Sequence, residues 1–99
     1  MIPLSEPRFQ GNEWKYIKEC LDTGWVSSSG KYVTQFELEI ASFTSKKYAV
    51  ATINGTSALH LSLLACGVQE SDAVIVPALT FIATANVVVY CRATPIFLD

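Results

Sequence analysis

Apolar residues recur at spacings of three and four in the first half of the chain. Trp14, Ile17 and Leu21 form one stripe and predict a helix over 13–22, with Asn12 as its cap and Gly24 at its end. Val33, Phe36, Ile40 and Phe43 form a second stripe and predict a helix over 33–43, with Glu37 and Glu39 toward solvent. Residues 1–10 read as extended or irregular, because Pro3 and Pro7 disfavour regular structure. Beyond residue 46 short apolar runs take over. Residues 47–53 read as a strand, and 56–66 as a helix that packs through Leu59, Leu63 and Leu64 and stops at Gly67. Ala73–Val76 reads as a buried strand ended by Pro77, and 95–98 as a third strand. Between them, 81–90 is ambiguous: Val87-Val88-Val89 suits a strand, but the alternation of its neighbours favours a helix.

The order is helix, helix, then strand–helix–strand–helix–strand. Short apolar strands alternating with helices predict an α/β fold with a mostly parallel sheet flanked by helices. There is no internal repeat and no linker between domains. The last strand has no helix after it, so three strands would leave an unfinished sheet.

Composition narrows the function classes. The chain has 99 residues, 51% of them hydrophobic and 16% charged, with a formal net charge of -2. That mixture favours a folded chain over disorder, with apolar surface to spare for further polypeptide or a second subunit. Lys46-Lys47 is the nearest approach to a basic cluster, and two lysines do not suggest nucleic acid. The three cysteines, Cys20, Cys66 and Cys91, have no paired zinc-site spacing and read as reduced thiols, with Cys66 and Cys91 buried. No secretory signal opens the chain and no run is long enough to span a bilayer, so the expected compartment is cytoplasmic and no membrane partner is expected. The Asn54-Gly55-Thr56 match to a glycosylation acceptor is discounted on the same ground.

Two strand ends carry candidate chemistry. At Asn54-Gly55-Thr56-Ser57, Gly55 permits close backbone approach, and Thr56 and Ser57 offer hydroxyls and amides at a helix N-terminus. Two readings stand side by side: a cradle for an anionic phosphate, and an ordinary helix cap that needs no ligand. The turn matches neither the long glycine loop ending in Gly-Lys-Ser/Thr nor the dinucleotide fingerprint with three spaced glycines. The second site is Pro77-Ala78-Leu79-Thr80-Phe81-Ile82-Ala83-Thr84, where Phe81 either covers a planar heteroaromatic ring or packs in the core. His60 reads as a packed or surface histidine, not a general base. The loop from Trp25 to Lys31 is either a substrate contact or a plain connection. Asp99 is given no role.

These motifs also carry a family resemblance. Ile2-Pro3-Leu4-Ser5-Glu6-Pro7, Gly11-Asn12-Glu13-Trp14, Thr23-Gly24-Trp25-Val26-Ser27-Ser28, Asn54-Gly55-Thr56-Ser57-Ala58-Leu59, Pro77 to Thr84 and Pro95-Ile96-Phe97-Leu98-Asp99 occur in this order. Together they resemble the N-terminal part of the DegT/DnrJ/EryC1/StrS family of PLP-dependent aminotransferases. More narrowly, they resemble the enzymes of legionaminic-acid and related nucleotide-sugar pathways.

The resemblance implies the N-terminal part of the fold-type-I PLP transferase large domain. Residues 1–45 would be an N-terminal helical segment and residues 46–99 the start of the cofactor-binding α/β core. It implies cofactor contacts from Gly55, Thr56, Ser57 and Phe81 to pyridoxal 5'-phosphate, and substrate contacts from Trp25, Ser27 and Ser28. It implies an amino-acid donor, commonly glutamate, a nucleotide-linked keto sugar as acceptor, and a homodimer. A same-fold PLP-dependent sugar dehydratase and a non-catalytic α/β module remain alternatives. The family's catalytic lysine and the acidic partner of the pyridine nitrogen lie downstream of the segment seen here, so no catalytic residue is assigned, and aminotransfer is expected of a longer parent rather than of these 99 residues alone. Three departures stand out: Ser45, Ser71 and Arg92 occupy positions where the family commonly has glycine. If those turns need positive φ, each adds strain; otherwise the turn has shifted.

Overall fold

The computed structural model describes residues 2, 3 and 5–99. They divide into two units, Met1–Val50 and Ala51–Asp99.

The first unit holds helices α1 (Glu13–Thr23) and α2 (Lys31–Phe43). Gly24 ends α1 in the left-handed conformation, at φ 72°, where a side chain would be strained. Both predicted stripes exist, but much of each is uncovered: Trp14 and Phe43 stay largely exposed, Val33 is half-buried, and among the described residues of α2 only Ala41 is buried. Glu39 is exposed as expected, whereas Glu37 is half-buried. An amphipathic stripe shows which face seeks a partner, not whether that partner is at hand.

The second unit runs α3 (Gly55–Ala65), β1 (Ala73–Pro77), α4 (Ala83–Tyr90) and β2 (Thr94–Leu98). The strands pair in parallel, with Ala73 opposite Thr94 and Pro77 opposite Leu98. Parallel neighbours need a crossover, and α4 supplies it, packing against both strands and α3. The valine run is therefore helical, and Val87 and Val88 are the most deeply buried large side chains. The core joins Val76, Val88, Cys91 and Ala93, with Leu63, Val68 and Val74 packed on it. Burying each valine contributes about 1.5–3 kcal/mol.

Further expectations need correction. The first strand is not buried throughout: of β1 only Val76 is buried, and Ile75 is exposed. Residues 47–53 form no strand: the sheet of the described residues consists of β1 and β2 alone. Leu59 and Leu64 remain exposed, and Leu63 alone of that trio reaches the core. Cys66 is exposed, because it lies at the end of α3 where the chain turns away; Cys91 is buried.

Three helices end in the same hydrogen-bonded motif, a left-handed residue flanked by paired backbone bonds. At α3 that residue is Gly67, with Gly67 N–H donating to Leu64 O at 3.0 Å and Val68 N–H to Leu63 O at 3.1 Å. At α2 it is Ser45, with bonds of 3.1 Å to Ser42 O and, from Lys46 N–H, 2.8 Å to Ala41 O. At α4 it is Arg92, with bonds of 2.8 Å to Val89 O and, from Ala93 N–H, 3.1 Å to Val88 O. Ser45 and Arg92 thus hold the left-handed position that glycine holds at α3, and accept the strain. Ser71, in the turn before β1, is the third, at φ 74°.

Candidate functional site

The second unit brings together the Asn54–Ser57 turn and the motif that follows β1. Gly55, Thr56, Leu59 and the run Thr80–Thr84 line one cleft of about 340 Å³. The N-terminus of α3 forms one wall. Asn54 is its cap: the side-chain Oδ1 accepts the Ser57 N–H at 2.9 Å. The helical ladder begins at Ala58, whose N–H donates to Asn54 O at 3.1 Å. The amides of Gly55 and Thr56 precede that ladder, at the positive end of the helix, and both residues line the cleft. Capping and anion binding are therefore compatible here: the cap occupies the Ser57 amide and leaves those of Gly55 and Thr56 outside it. Ser57, the third residue of the turn, does not line the cleft.

Gly55 is informative because nothing within the chain requires it. Its φ lies outside the left-handed region, and a Cβ built on it would meet no atom within 4 Å. A methyl group would occupy only the open space of the cleft, where an anionic group would approach the backbone.

Phe81 forms the opposite wall. It is 87% exposed, which excludes the core-packing role within this unit and leaves its ring face available. Thr80 and Thr84 stand beside it, their hydroxyl oxygens 3.3 Å apart. Neither threonine was singled out as a site residue, although both lie in the Pro77–Thr84 motif. The arrangement fits a phosphorylated planar heterocycle: amides for the phosphate, an aromatic ring for the ring, and hydroxyls at the edge. His60 is half-buried and lies edge-on to Tyr90, ring centroids 5.7 Å apart, which agrees with a packed histidine.

The first unit holds the other candidate residues. Trp25 and Ser27 line a separate cleft of about 140 Å³, with Glu19, Ser29, Lys31 and Tyr32 among its walls; Ser28 lies outside it and is exposed. Glu19 on α1 accepts hydrogen bonds from Lys31 Nζ on one carboxylate oxygen and from Tyr32 OH, at 2.5 Å, on the other. The Lys31 bond, and after it the Tyr32 bond, hold the Glu19 carboxyl below the usual carboxylate range. The same bonds from Glu19 push Lys31 and Tyr32 above their ordinary values. Sequence periodicity did not reveal this trio, because Glu19 and its partners are 12 and 13 positions apart and meet only through the loop between the helices.

Among the described residues no helix is long and apolar enough to cross a membrane, and no group of three or more His, Cys, Asp or Glu is placed to hold a metal ion.

Comparison with known proteins places this geometry. The description "DegT/DnrJ/EryC1/StrS aminotransferase family" matches residues 7–99. A GDP-perosamine synthase of Vibrio cholerae is 50% identical over 99 residues, covering 100% of this chain and 27% of that protein. A putative sugar aminotransferase of Streptococcus pneumoniae, solved in its PLP form, is 32% identical with a TM-score of 0.90, over 99% of this chain and 25% of that one. An Escherichia coli GDP-4-keto-6-deoxy-D-mannose-3-dehydratase with bound hydrated PLP is 28% identical with a TM-score of 0.86, over 98% and 26% respectively. The chain thus spans about a quarter of the length of these relatives. Its fold is the N-terminal α/β region of a fold-type-I PLP transferase. The chain belongs to the DegT/DnrJ/EryC1/StrS aminotransferase family.

Proposed function

We propose that this chain is the N-terminal segment of a PLP-dependent aminotransferase that moves an amino group, from glutamate, to a keto group of a nucleotide-linked sugar. The observation that carries the reading is the single cleft shared by Gly55, Thr56 and Phe81. There the α3 amides and the Thr56 and Ser57 hydroxyls would hold the phosphate, and Phe81 would cover the ring and exclude water from that face. Bound, PLP supplies the electron sink on which amino transfer depends. Residues 1–45 would serve as the helical entrance segment and 46–99 as the start of the cofactor core. Trp25, Ser27 and Ser28 would meet the sugar nucleotide.

The relatives named as GDP-perosamine synthases support a nucleotide-linked sugar as acceptor. The narrower resemblance to legionaminic-acid enzymes is a second possibility for the sugar, and both branches demand the same cofactor chemistry. The dehydratase reading has support in the solved structure with PLP bound. A cytoplasmic homodimer that binds neither nucleic acid nor membrane completes the proposal.

The test uses the natural polypeptide that carries this chain. It is incubated with PLP, reduced with borohydride and weighed intact, then assayed with glutamate and nucleotide-linked keto sugars. One reduced PLP adduct on a lysine outside residues 1–99, together with an aminated sugar, supports the proposal. A deoxygenated sugar with no amine gained would instead identify the dehydratase. Absence of a PLP adduct and of a PLP absorption band would overturn both enzyme readings.

A further inference from the structure

The loop between α1 and α2 is bracketed by two glycines in conformations that free the chain. Gly24 is left-handed, and Gly30, at φ 157° and ψ 169°, sits in a region that only glycine enters readily. Such ends would allow Trp25–Ser29 to swing unless something outside the loop fixes them. Glu19 is placed to do so. It lies one turn before the end of α1, and it accepts from Lys31 and Tyr32 in the first turn of α2. The Tyr32 ring is held on its other side by Tyr16, centroids 4.8 Å apart, and the Lys31 ammonium lies 4.8 Å from the Tyr32 ring centroid. Both ends of the loop are thus referred to one carboxylate. Trp25 folds back over the hinge, its Cε3 3.9 Å from where a Gly30 Cβ would lie.

We propose that Glu19 is a positioning residue: by gripping Lys31 and Tyr32 it fixes the Trp25–Ser29 loop in the shape that receives the nucleotide-linked sugar. This rests on the reading of that loop as a substrate contact. The Lys31–Glu19 pair keeps 65% and 37% of its side-chain surface exposed, so solvent screens it and its contribution to global stability is small. Its effect is local, on which loop shapes are populated.

This role makes a specific pattern of effects. In the PLP-loaded natural polypeptide, Glu19→Gln raises KM for the sugar nucleotide about three- to five-fold, with a smaller change in kcat. KM for glutamate and the PLP absorption band stay unchanged. Reversing the pair, Glu19→Lys with Lys31→Glu, returns KM to within about two-fold of the parent, whereas Glu19→Lys alone does not. A Lys31 that instead bound substrate phosphate directly would give no such rescue, and that result overturns the proposal. Acrylamide quenching of Trp25, taken as the difference between each protein and its Trp25→Phe counterpart, reads the loop itself: Glu19→Gln increases it. Unchanged quenching overturns the tie. Trp25→Ala separates the two levels of inference. If it raises KM while Glu19→Gln does not, the positioning role falls and the substrate reading stands. If quenching rises but neither variant moves KM, the substrate reading of the loop falls and the positioning role falls with it.

Discussion

Ser71 and Arg92, both left-handed, are hydrogen-bonded to each other, with Ser71 N–H donating to Arg92 O at 3.2 Å. Their φ values are 74° and 59°. The bond sits just ahead of the two paired strands, and Thr94 N–H to Asp72 O at 2.8 Å continues the link into β2. Two strained turns are therefore locked together where the sheet begins. The strain of a non-glycine residue there is about 1–2 kcal/mol, partly offset by the greater unfolded-state freedom of glycine. Ser71→Gly and Arg92→Gly should each stabilise the protein by about 0.5–1 kcal/mol. The Arg92–Glu70 contact, 3.6 Å between two exposed side chains, is too screened to reverse the sign. Urea unfolding of the natural polypeptide checks this. Because the residues share a bond, the double variant should depart from the sum of the single ones.

Gly55→Ala should separate stability from binding. Position 55 is helical, its φ is ordinary and the added methyl meets nothing in the chain, so stability rises by about 0.4–1 kcal/mol. The same methyl obstructs close approach to the α3 amides. Losing one such bond to a charged group weakens PLP binding about ten-fold or more. Thermal unfolding of the apoprotein and a PLP titration by absorbance, run on one preparation, test the two halves. Undiminished PLP affinity would remove Gly55 from the phosphate site.

Phe81→Ala should change apoprotein stability by no more than about 0.5 kcal/mol, since the side chain is already in solvent. If the ring covers the cofactor, PLP affinity falls about three- to ten-fold, and Phe81→Trp or Phe81→Tyr retains most of it. A large stability loss with intact PLP binding would return Phe81 to a packing role.

Much of this was legible in the residues because it depends on local rules. Helix spans followed from spacing and from the glycines at 24 and 67, and the valine run was settled by its place between two strands. The resemblance located the three departures at 45, 71 and 92, and each proves to be left-handed. What failed depended on partners. Residues 47–53 have the composition of a strand but lie outside the β1–β2 ladder, and Cys66 looked buried among apolar residues yet faces solvent. The Glu19 grip was invisible for the same reason: no helical or strand period links position 19 to 31 and 32, and only the course of the loop does. Gly55 and Phe81 were each ambiguous alone, and only the fold brings them to one cleft.

The Glu19 grip should be insensitive to pH across the neutral range. Glu19 titrates below its ordinary value of 4.5, chiefly through the Lys31 hydrogen bond and then that of Tyr32. A depressed carboxyl contributes fully above the ordinary value, and the contribution is lost as pH falls through the lower, folded one. Lys31 titrates above its ordinary 10.5, through its bond to Glu19, so its contribution is complete below that value and is lost as pH rises through the folded one. Tyr32, also raised by Glu19, keeps its donating proton over the same interval. The excess Trp25 quenching of Glu19→Gln over its parent should therefore be flat from about pH 6 to 9 and shrink toward zero only in acid, below the ordinary 4.5 of Glu19. An inflection inside that interval would mean that a different group controls the loop. That outcome would remove Glu19 as the residue holding the loop.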